Sequence, residues 1–168
     1  MTGGPHRSAA PRHVGCAVLT ASDTRSHADD ESGALIRAGL LGAGHAVHLH
    51  RVVRDDPAAI RAAVAEAESD PHIRALVLNG GTGIAMRDRT FEAVSELIER
   101  PLPGFGELFR MLSYREVGAA AMLTRATAGI RGRRVIFSLP GSPAAVRLAL
   151  HELILPELGH VVDQLDRP

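Results

Sequence analysis

The chain contains no lysine, and all 19 of its basic residues are arginine. A Walker A loop requires a lysine that reaches the bound phosphates, so the absence of lysine excludes a P-loop nucleotidase. The single cysteine, Cys16, excludes a disulfide framework and argues against a zinc cluster. Because Cys16 lies within an apolar run, we expect a buried, reduced thiol.

The chain also lacks net charge, tryptophan and any long apolar run. It carries 19 basic and 19 acidic residues with a pI near 7.1, which argues against a broad basic surface for nucleic acid or anionic lipid. No apolar run approaches the roughly 18 residues of a membrane span, and residues 1–13 lack the apolar core of a signal peptide. The sequence therefore predicts a cytoplasmic protein with an aliphatic core and neither a nucleic-acid nor a membrane partner.

The length of 168 residues suits one domain with a two-sided sheet. Residues 1–13 predict a disordered tail, and residues 14–165 predict a single α/β domain. Apolar runs predict four buried strands, at residues 14–20, 46–53, 73–79 and 133–138. Residues 126–130 predict the first arm of a hairpin that leads into the last of them. The carboxyl ends of parallel strands converge, so the segments after these strands are expected to form one site.

Helix start signals alternate with the strands. Residues 30–33 open a helix with an acidic first turn, and Asp56 followed by Pro57 is typical of a helix N-terminus. Thr90 is the predicted N-cap of a third helix, which we expect to continue until a proline stops it at position 101. The sequence then predicts a helix over residues 108–123 and a last helix that begins after Ser142.

A glycine-rich loop, Gly80, Gly81, Thr82 and Gly83, follows the predicted strand at residues 73–79. Glycines allow backbone amides to converge on an anion, and the start of the following helix adds favourable potential. The loop does not fit a dinucleotide fingerprint, because Gly81 and Gly83 are followed by Met86 where that fingerprint has Gly or Ala. The loop alone leaves two interpretations open, a phosphate site and an ordinary strand-to-helix turn.

Two acids near this loop favour nucleotide chemistry. Asp55 ends a strand without an evident capping role, and Asp88 follows the glycine loop, although a cap or an ion pair would also account for Asp88. Two carboxylates repel phosphate unless a divalent cation lies between them, so the pattern predicts Mg²⁺ and a nucleotide. With Arg87 or Arg89 to balance charge, the expected chemistry is phosphoryl or nucleotidyl transfer.

A second candidate metal site is disfavoured. His48 and His50 share one face of a predicted strand, but neither has a carboxylate or cysteine at ligand spacing in the sequence. We therefore expect no metal at these histidines.

Five motifs resemble, in order and spacing, the MoaB/MogA family of molybdenum cofactor biosynthesis proteins. They are VLTASDTR at 18–25, DESG at 30–33, GGTG at 80–83 with Arg87 and Asp88, PGFGE at 103–107 and LPGSP at 139–143. The run at residues 108–130 is closer to the MoaB branch. The resemblance implies a three-layer α/β/α molybdopterin-binding fold with a mostly parallel sheet. It also implies homotrimers or homohexamers, and a Mg²⁺- and ATP-dependent adenylylation of molybdopterin that releases pyrophosphate.

The same resemblance assigns roles to individual residues. The two catalytic acids of the family fall on Asp55 and Asp88, which are also the expected Mg²⁺ ligands. The loops at residues 80–83 and 139–143 match segments that line the pterin and phosphate pocket of the family. Together with the polar residues expected at the ends of the first and last strands, they give the predicted substrate- and nucleotide-binding residues: Ser22, Asp23, Gly80, Gly81, Thr82, Gly83, Ser138, Pro140, Gly141 and Ser142. Two positions depart from the family, which often has proline where Arg54 and Phe91 stand. Two other functions stay open at this point: a MoaB-type protein that binds molybdopterin without adenylylating it, and a general nucleotide hydrolase.

Overall fold

The computed structural model of the protein describes residues 13–86 and 88–167. The predicted tail lies outside these described residues, except for His13. Arg87 also lies outside them. Six strands form one sheet: β1 Gly15–Ala21, β2 Ala46–Val53, β3 Ile73–Asn79, β4 Arg100–Pro101, β5 Thr127–Arg131 and β6 Arg134–Leu139. The helices are α1 Glu31–Gly42, α2 Pro57–Ser69, α3 Thr90–Leu97, α4 Pro103–Val117, α5 Pro143–Ala149 and α6 Leu155–Asp166. A 3₁₀ segment, Gly118–Leu123, follows α4, and a π turn, Leu150–Ile154, joins α5 to α6.

The strands run in the order β2-β1-β3-β6-β5-β4. The first four of these are mutually parallel, whereas β5 pairs antiparallel with both β6 and β4. Asn79 at the end of β3 is level with Thr20 in β1 and with Leu139 at the end of β6. The carboxyl ends of the parallel strands therefore lie side by side along one edge of the sheet.

Helices cover both faces of the sheet, as the alternation along each strand requires. In β1, Cys16 and Val18 face the core beneath α1, α4, α5 and α6, while Ala17 and Leu19 face the core beneath α2 and α3. Strand β3 alternates in the same way. The result confirms the predicted three-layer α/β/α fold with a mostly parallel sheet, and Cys16 is buried as expected. Burial raises the pKa of its thiol to about 12.

The predicted boundaries of two helices were wrong. Helix α4 begins at Pro103, five residues before the predicted start, because proline supplies the fixed φ of a first helical turn and lacks the amide that would be unpaired there. The helix ends where Gly118 adopts φ +63°, and the chain continues as a 3₁₀ segment. Helix α3 ends at Leu97, because the chain then turns to pair Arg100 and Pro101 with β5.

Thr90 was also wrongly assigned as an N-cap. The capping position belongs to Arg89, whose side chain makes no capping bond, and Thr90 is the first residue of α3. Its hydroxyl binds Asp55 instead. In contrast, Asp30, Asp56 and Ser142 each accept a hydrogen bond from a first-turn amide of the helix that follows.

Within the described residues, no helix has both the length and the apolarity needed to cross a bilayer.

Candidate functional site

An open cleft of about 710 Å³ lies at the carboxyl edge of the sheet. This volume is in the usual range for small-molecule sites. All the predicted site residues except one line this cleft: Ser22, Asp23, Asp55, Gly80, Gly81, Thr82, Gly83, Asp88, Pro140, Gly141 and Ser142. The exception is Ser138, which is fully buried inside β6 and whose hydroxyl has no hydrogen-bond partner in the described part of the chain. Segments that are far apart in sequence therefore meet where the register of the strands places them.

The glycine loop fits between the ends of β1 and β6, the two strands that flank β3. The Gly80 amide donates to the Leu139 carbonyl (3.1 Å), and a side chain at Gly80 would begin 2.2 Å from the Ala21 carbonyl oxygen. Gly80 has φ +103° and Gly81 has φ +56°, conformations that favour glycine. The first two glycines are thus required both by backbone conformation and by the close approach of other atoms.

The loop leaves several backbone donors without protein acceptors. Among the described residues, the amides of Gly81, Thr82, Gly83 and Gly141 have no hydrogen-bond acceptor. All four belong to residues that line the cleft. Unpaired amides grouped in a concave, glycine-rich loop favour an anion such as phosphate.

Asp55 lines the cleft beside Gly81 of the loop. Its Oδ1 accepts a hydrogen bond from Thr90 Oγ1 (3.0 Å), and its amide donates to Asp23 Oδ1 (3.2 Å). Burial raises the pKa of the Asp55 carboxyl, and repulsion from Asp88 and Asp23 acts in the same direction. Hydrogen bonds from Thr90 and the backbone of Arg89 oppose this rise in pKa. The ionised form of Asp55 is therefore less favourable than that of a solvent-exposed aspartate, and a bound cation would favour it.

Asp88 also lines this cleft. Its Oδ2 accepts a hydrogen bond from the Ala85 amide (3.0 Å), and a side chain at Gly83 would begin 2.6 Å from this oxygen. No group of three or more His, Cys, Asp and Glu side chains within the described residues forms a ready ligand set for a metal. Mg²⁺ is commonly held by only one or two carboxylates together with substrate phosphates, so Asp55 and Asp88 suit this ion.

The loop of residues 140–142, between β6 and α5, also lines the cleft. Its Gly141 carbonyl accepts hydrogen bonds from Ser32 Oγ (2.9 Å) and from Arg25 Nη1 (3.2 Å). These bonds hold Gly141 against the glycine loop, where a side chain on Gly141 would begin 3.1 Å from the Gly80 Cα. Arg25 itself lines the cleft and adds positive charge to it.

The first loop of the chain organises the Arg25 side of the cleft. Ser22 Oγ accepts hydrogen bonds from the amides of Thr24 (3.3 Å) and Arg25 (3.1 Å). The Ser22 hydroxyl therefore closes a polar turn after β1, and this turn orients Arg25. Arg25 ends the VLTASDTR motif, but its contact with Gly141, 116 residues away in sequence, carries no local signal.

The histidines of β2 lie outside this cleft. His50 Nε2 is 3.0 Å from Asp30 Oδ2, and His48 Nδ1 is 3.5 Å from Asp70 Oδ2. Each histidine thus has a carboxylate partner that sequence spacing did not reveal, because the partner comes from a different element. These contacts are pairs, and within the described residues they do not form a metal ligand set.

Comparison with known proteins agrees with this geometry. A family profile described as "Probable molybdopterin binding domain" matches residues 17–160. The "Molybdenum cofactor biosynthesis protein B" of Halalkalibacterium halodurans is 49% identical over 161 residues, which cover 95% of each chain. A crystal structure with the same protein name has a TM-score of 0.91 at 49% identity and covers 95% of this chain and 99% of its own. The "tungsten cofactor synthesizing protein MoaB" of Pyrococcus furiosus has a TM-score of 0.85 at 39% identity and covers 94% of this chain and 100% of its own.

Proposed function

Since the chain belongs to the MoaB family of molybdenum cofactor biosynthesis proteins, we propose that it catalyses the Mg²⁺- and ATP-dependent adenylylation of molybdopterin. The observation that carries the proposal is the meeting, in one cleft, of unpaired backbone amides with the two acids Asp55 and Asp88. Amides alone suit any phosphate ligand. The added acids suit a phosphate that arrives with a divalent cation.

The amides of the two glycine-containing loops bind phosphate oxygens in this proposal. The unpaired amides of residues 81–83 come from the loop after β3, and that of Gly141 comes from the loop after β6. Arg25 adds a positive charge on the side of Gly141. Two phosphate-bearing substrates, ATP and molybdopterin, would thereby be held close to each other.

Asp55 and Asp88 hold the metal in this proposal. Bound Mg²⁺ would neutralise charge on the ATP phosphates and favour the departure of pyrophosphate. The raised pKa of Asp55 supports this role, because burying a carboxylate next to two others is unfavourable unless a cation compensates it. Thr90 fixes the rotamer of Asp55 through its hydroxyl.

The proposed reaction transfers an AMP group from ATP to the terminal phosphate of molybdopterin. An oxygen of the terminal phosphate of molybdopterin attacks the α-phosphorus of ATP. The bond from this phosphorus to the oxygen that bridges the α- and β-phosphates breaks, and pyrophosphate leaves with the bonding electrons. No protein side chain is modified, so the chain contributes alignment and charge stabilisation.

Replacing either acid by asparagine tests this function. Asp55→Asn and Asp88→Asn should each lower molybdopterin-dependent pyrophosphate release at least tenfold, since a lost charge-assisted contact is worth more than roughly 1.4 kcal/mol in the transition state. Molybdopterin binding should largely persist. Asp56→Asn is the matched control, because it removes the neighbouring charge while asparagine still caps α2. Turnover at the rate of the unmodified protein in Asp55→Asn would refute the role of this acid.

We also propose that the chain assembles into homotrimers or homohexamers. Helix α4 and the 3₁₀ segment expose six large apolar side chains: Leu108, Met111, Tyr114, Val117, Met122 and Leu123. Tyr114 is 63% exposed and Met122 is 76% exposed. A concentrated apolar surface of this kind is typical of protein interfaces.

A further inference from the structure

Arg125 holds both ends of the loop that carries Asp88. Its backbone amide donates to the Thr82 carbonyl (3.1 Å), and its Nε donates to the same oxygen (3.4 Å). Its Nη2 donates to the Asp88 carbonyl (2.9 Å). One side chain therefore spans the loop of residues 82–88 from its first to its last carbonyl.

The guanidinium of Arg125 is itself fixed in place. Its Nη1 donates to the Glu92 carboxylate in the first turn of α3. Its Cζ lies 4.9 Å from the centroid of the Phe91 ring, within the range of a cation–π contact. These two contacts come from α3, which also positions Thr90 against Asp55. Arg125 thus links the Asp88 loop to the helix that orients the other acid.

The loop has few other attachments. Ile84 is 69% exposed and Met86 is 93% exposed, so neither side chain anchors it in the core. The Asp88 amide donates to the Ala85 carbonyl (2.9 Å), and the Ala85 amide donates to the Asp88 carboxylate (3.0 Å). These two bonds fold the loop only onto itself. In the described parts of the chain, no side chain other than Arg125 donates to a backbone carbonyl of residues 82–86 or of Asp88.

We infer that Arg125 is a positioning residue that sets the place of the Asp88 carboxylate relative to Asp55. This inference rests on the proposed function of the two acids. Arg125 does not line the cleft and acts through the loop. Only a guanidinium provides rigid, planar donors that can serve two carbonyls and a carboxylate together, whereas lysine supplies the same charge from a single ammonium group.

The test compares three variants. Arg125→Gln removes the fork and the charge, and Arg125→Lys keeps the charge beside Glu92 and Phe91 but loses the fork. Arg134→Gln is the matched control. Arg134 uses the same chemistry on the backbone carbonyls of Ile73 (3.0 Å) and Glu68 (2.7 Å), but at the opposite edge of the sheet.

Two measurements are made on each variant. The first is amide hydrogen exchange of Ala85 and Asp88 in the ligand-free, metal-free protein, which reports opening of the loop. The second is pyrophosphate release as a function of Mg²⁺ concentration. Both Arg125 variants should exchange these two amides at least tenfold faster and need at least threefold more Mg²⁺ for half-maximal rate. Their kcat should fall at least tenfold, because a displaced acid misaligns the transferring phosphate.

The outcomes separate this inference from the proposed function. If the unmodified protein releases no pyrophosphate with molybdopterin, the proposed function fails, and the exchange data still decide whether Arg125 holds the loop. Unchanged exchange at Ala85 and Asp88 in Arg125→Gln would overturn the inference. Full recovery of both readouts in Arg125→Lys would also overturn it, since charge alone would then suffice. Equal changes in Arg134→Gln would reduce the effect to a general loss of stability.

Discussion

A pair of glycines with nearly the same backbone conformation allows the site to be tested against a built-in control. Gly81 has φ +56° and Gly132, in the turn between β5 and β6, has φ +54°. Alanine in this conformation costs about 1–2 kcal/mol at either position. A Cβ at Gly132 would meet open space, whereas a Cβ at Gly81 would lie 2.3 Å from both Asp55 Oδ2 and Thr90 Oγ1.

The two substitutions should therefore differ in their effect on stability, because only Gly81→Ala disturbs Asp55. Gly81→Ala must displace Asp55 or Thr90 and break the hydrogen bond between them, and a bond to a charged group is worth about 1.5–3 kcal/mol. We expect Gly81→Ala to be less stable than Gly132→Ala by that amount in urea denaturation. For a chain of this length the difference corresponds to about 3–12 °C in melting temperature.

Ligand binding provides the second half of this test. Gly132→Ala should bind ATP and molybdopterin as the unmodified protein does, because its strain is remote from the cleft. Gly81→Ala should bind at least one of them more weakly even at temperatures where it is fully folded. Equal stability losses and unchanged dissociation constants in both variants would show that residues 80–83 form an ordinary turn.

Two further predictions concern charge and assembly. The folded-state pKa of Asp55 is raised, so its neutral form contributes stability at low pH. This contribution is lost as the pH rises from the ordinary pKa of 3.8 through the raised pKa of the folded state. In metal-free buffer at pH 7, Asp55→Asn should thus have a higher melting temperature than the unmodified protein, and the difference should vanish below pH 3.8. A lower melting temperature of Asp55→Asn at pH 7 would contradict the argument that burial raises the pKa of Asp55. Light scattering should show a multiple of three protomers. The double variant Met111→Asp with Tyr114→Asp should dissociate this assembly, whereas Ala65→Asp, at an exposed position of α2, should not. A stable monomer of the unmodified protein at micromolar concentration would refute the assembly.

Much of the fold was predictable because its signals are local. Buried parallel strands are apolar runs, and helix starts carry short-range caps such as Asp56 before Pro57. The convergence of Asp55, the glycine loop and Gly141 followed from the parallel sheet alone, because parallel strands place their carboxyl ends at one edge.

The remaining features depend on contacts between residues distant in sequence. Thr90 reads locally as a cap, but its partner Asp55 lies 35 residues earlier in the chain. Strand β4 is only two residues long and exists because β5 passes beside it, so no periodicity could reveal it. Ser138 follows the pattern of a strand end, yet β6 continues through it to Leu139 and buries it. In each case the deciding contact comes from a residue that is distant in sequence.

The most direct test of the proposed reaction follows the α-phosphate of ATP. The protein is mixed with Mg²⁺, molybdopterin and ATP labelled at the α-phosphorus, and the labelled products are separated. The proposed function predicts label in molybdopterin together with an equal amount of pyrophosphate, and at least tenfold less of both with Asp55→Asn. Label in free AMP or ADP at the same rate without molybdopterin would indicate a hydrolase, and tight molybdopterin binding with all label left in ATP would indicate a binding protein; either result would contradict adenylylation.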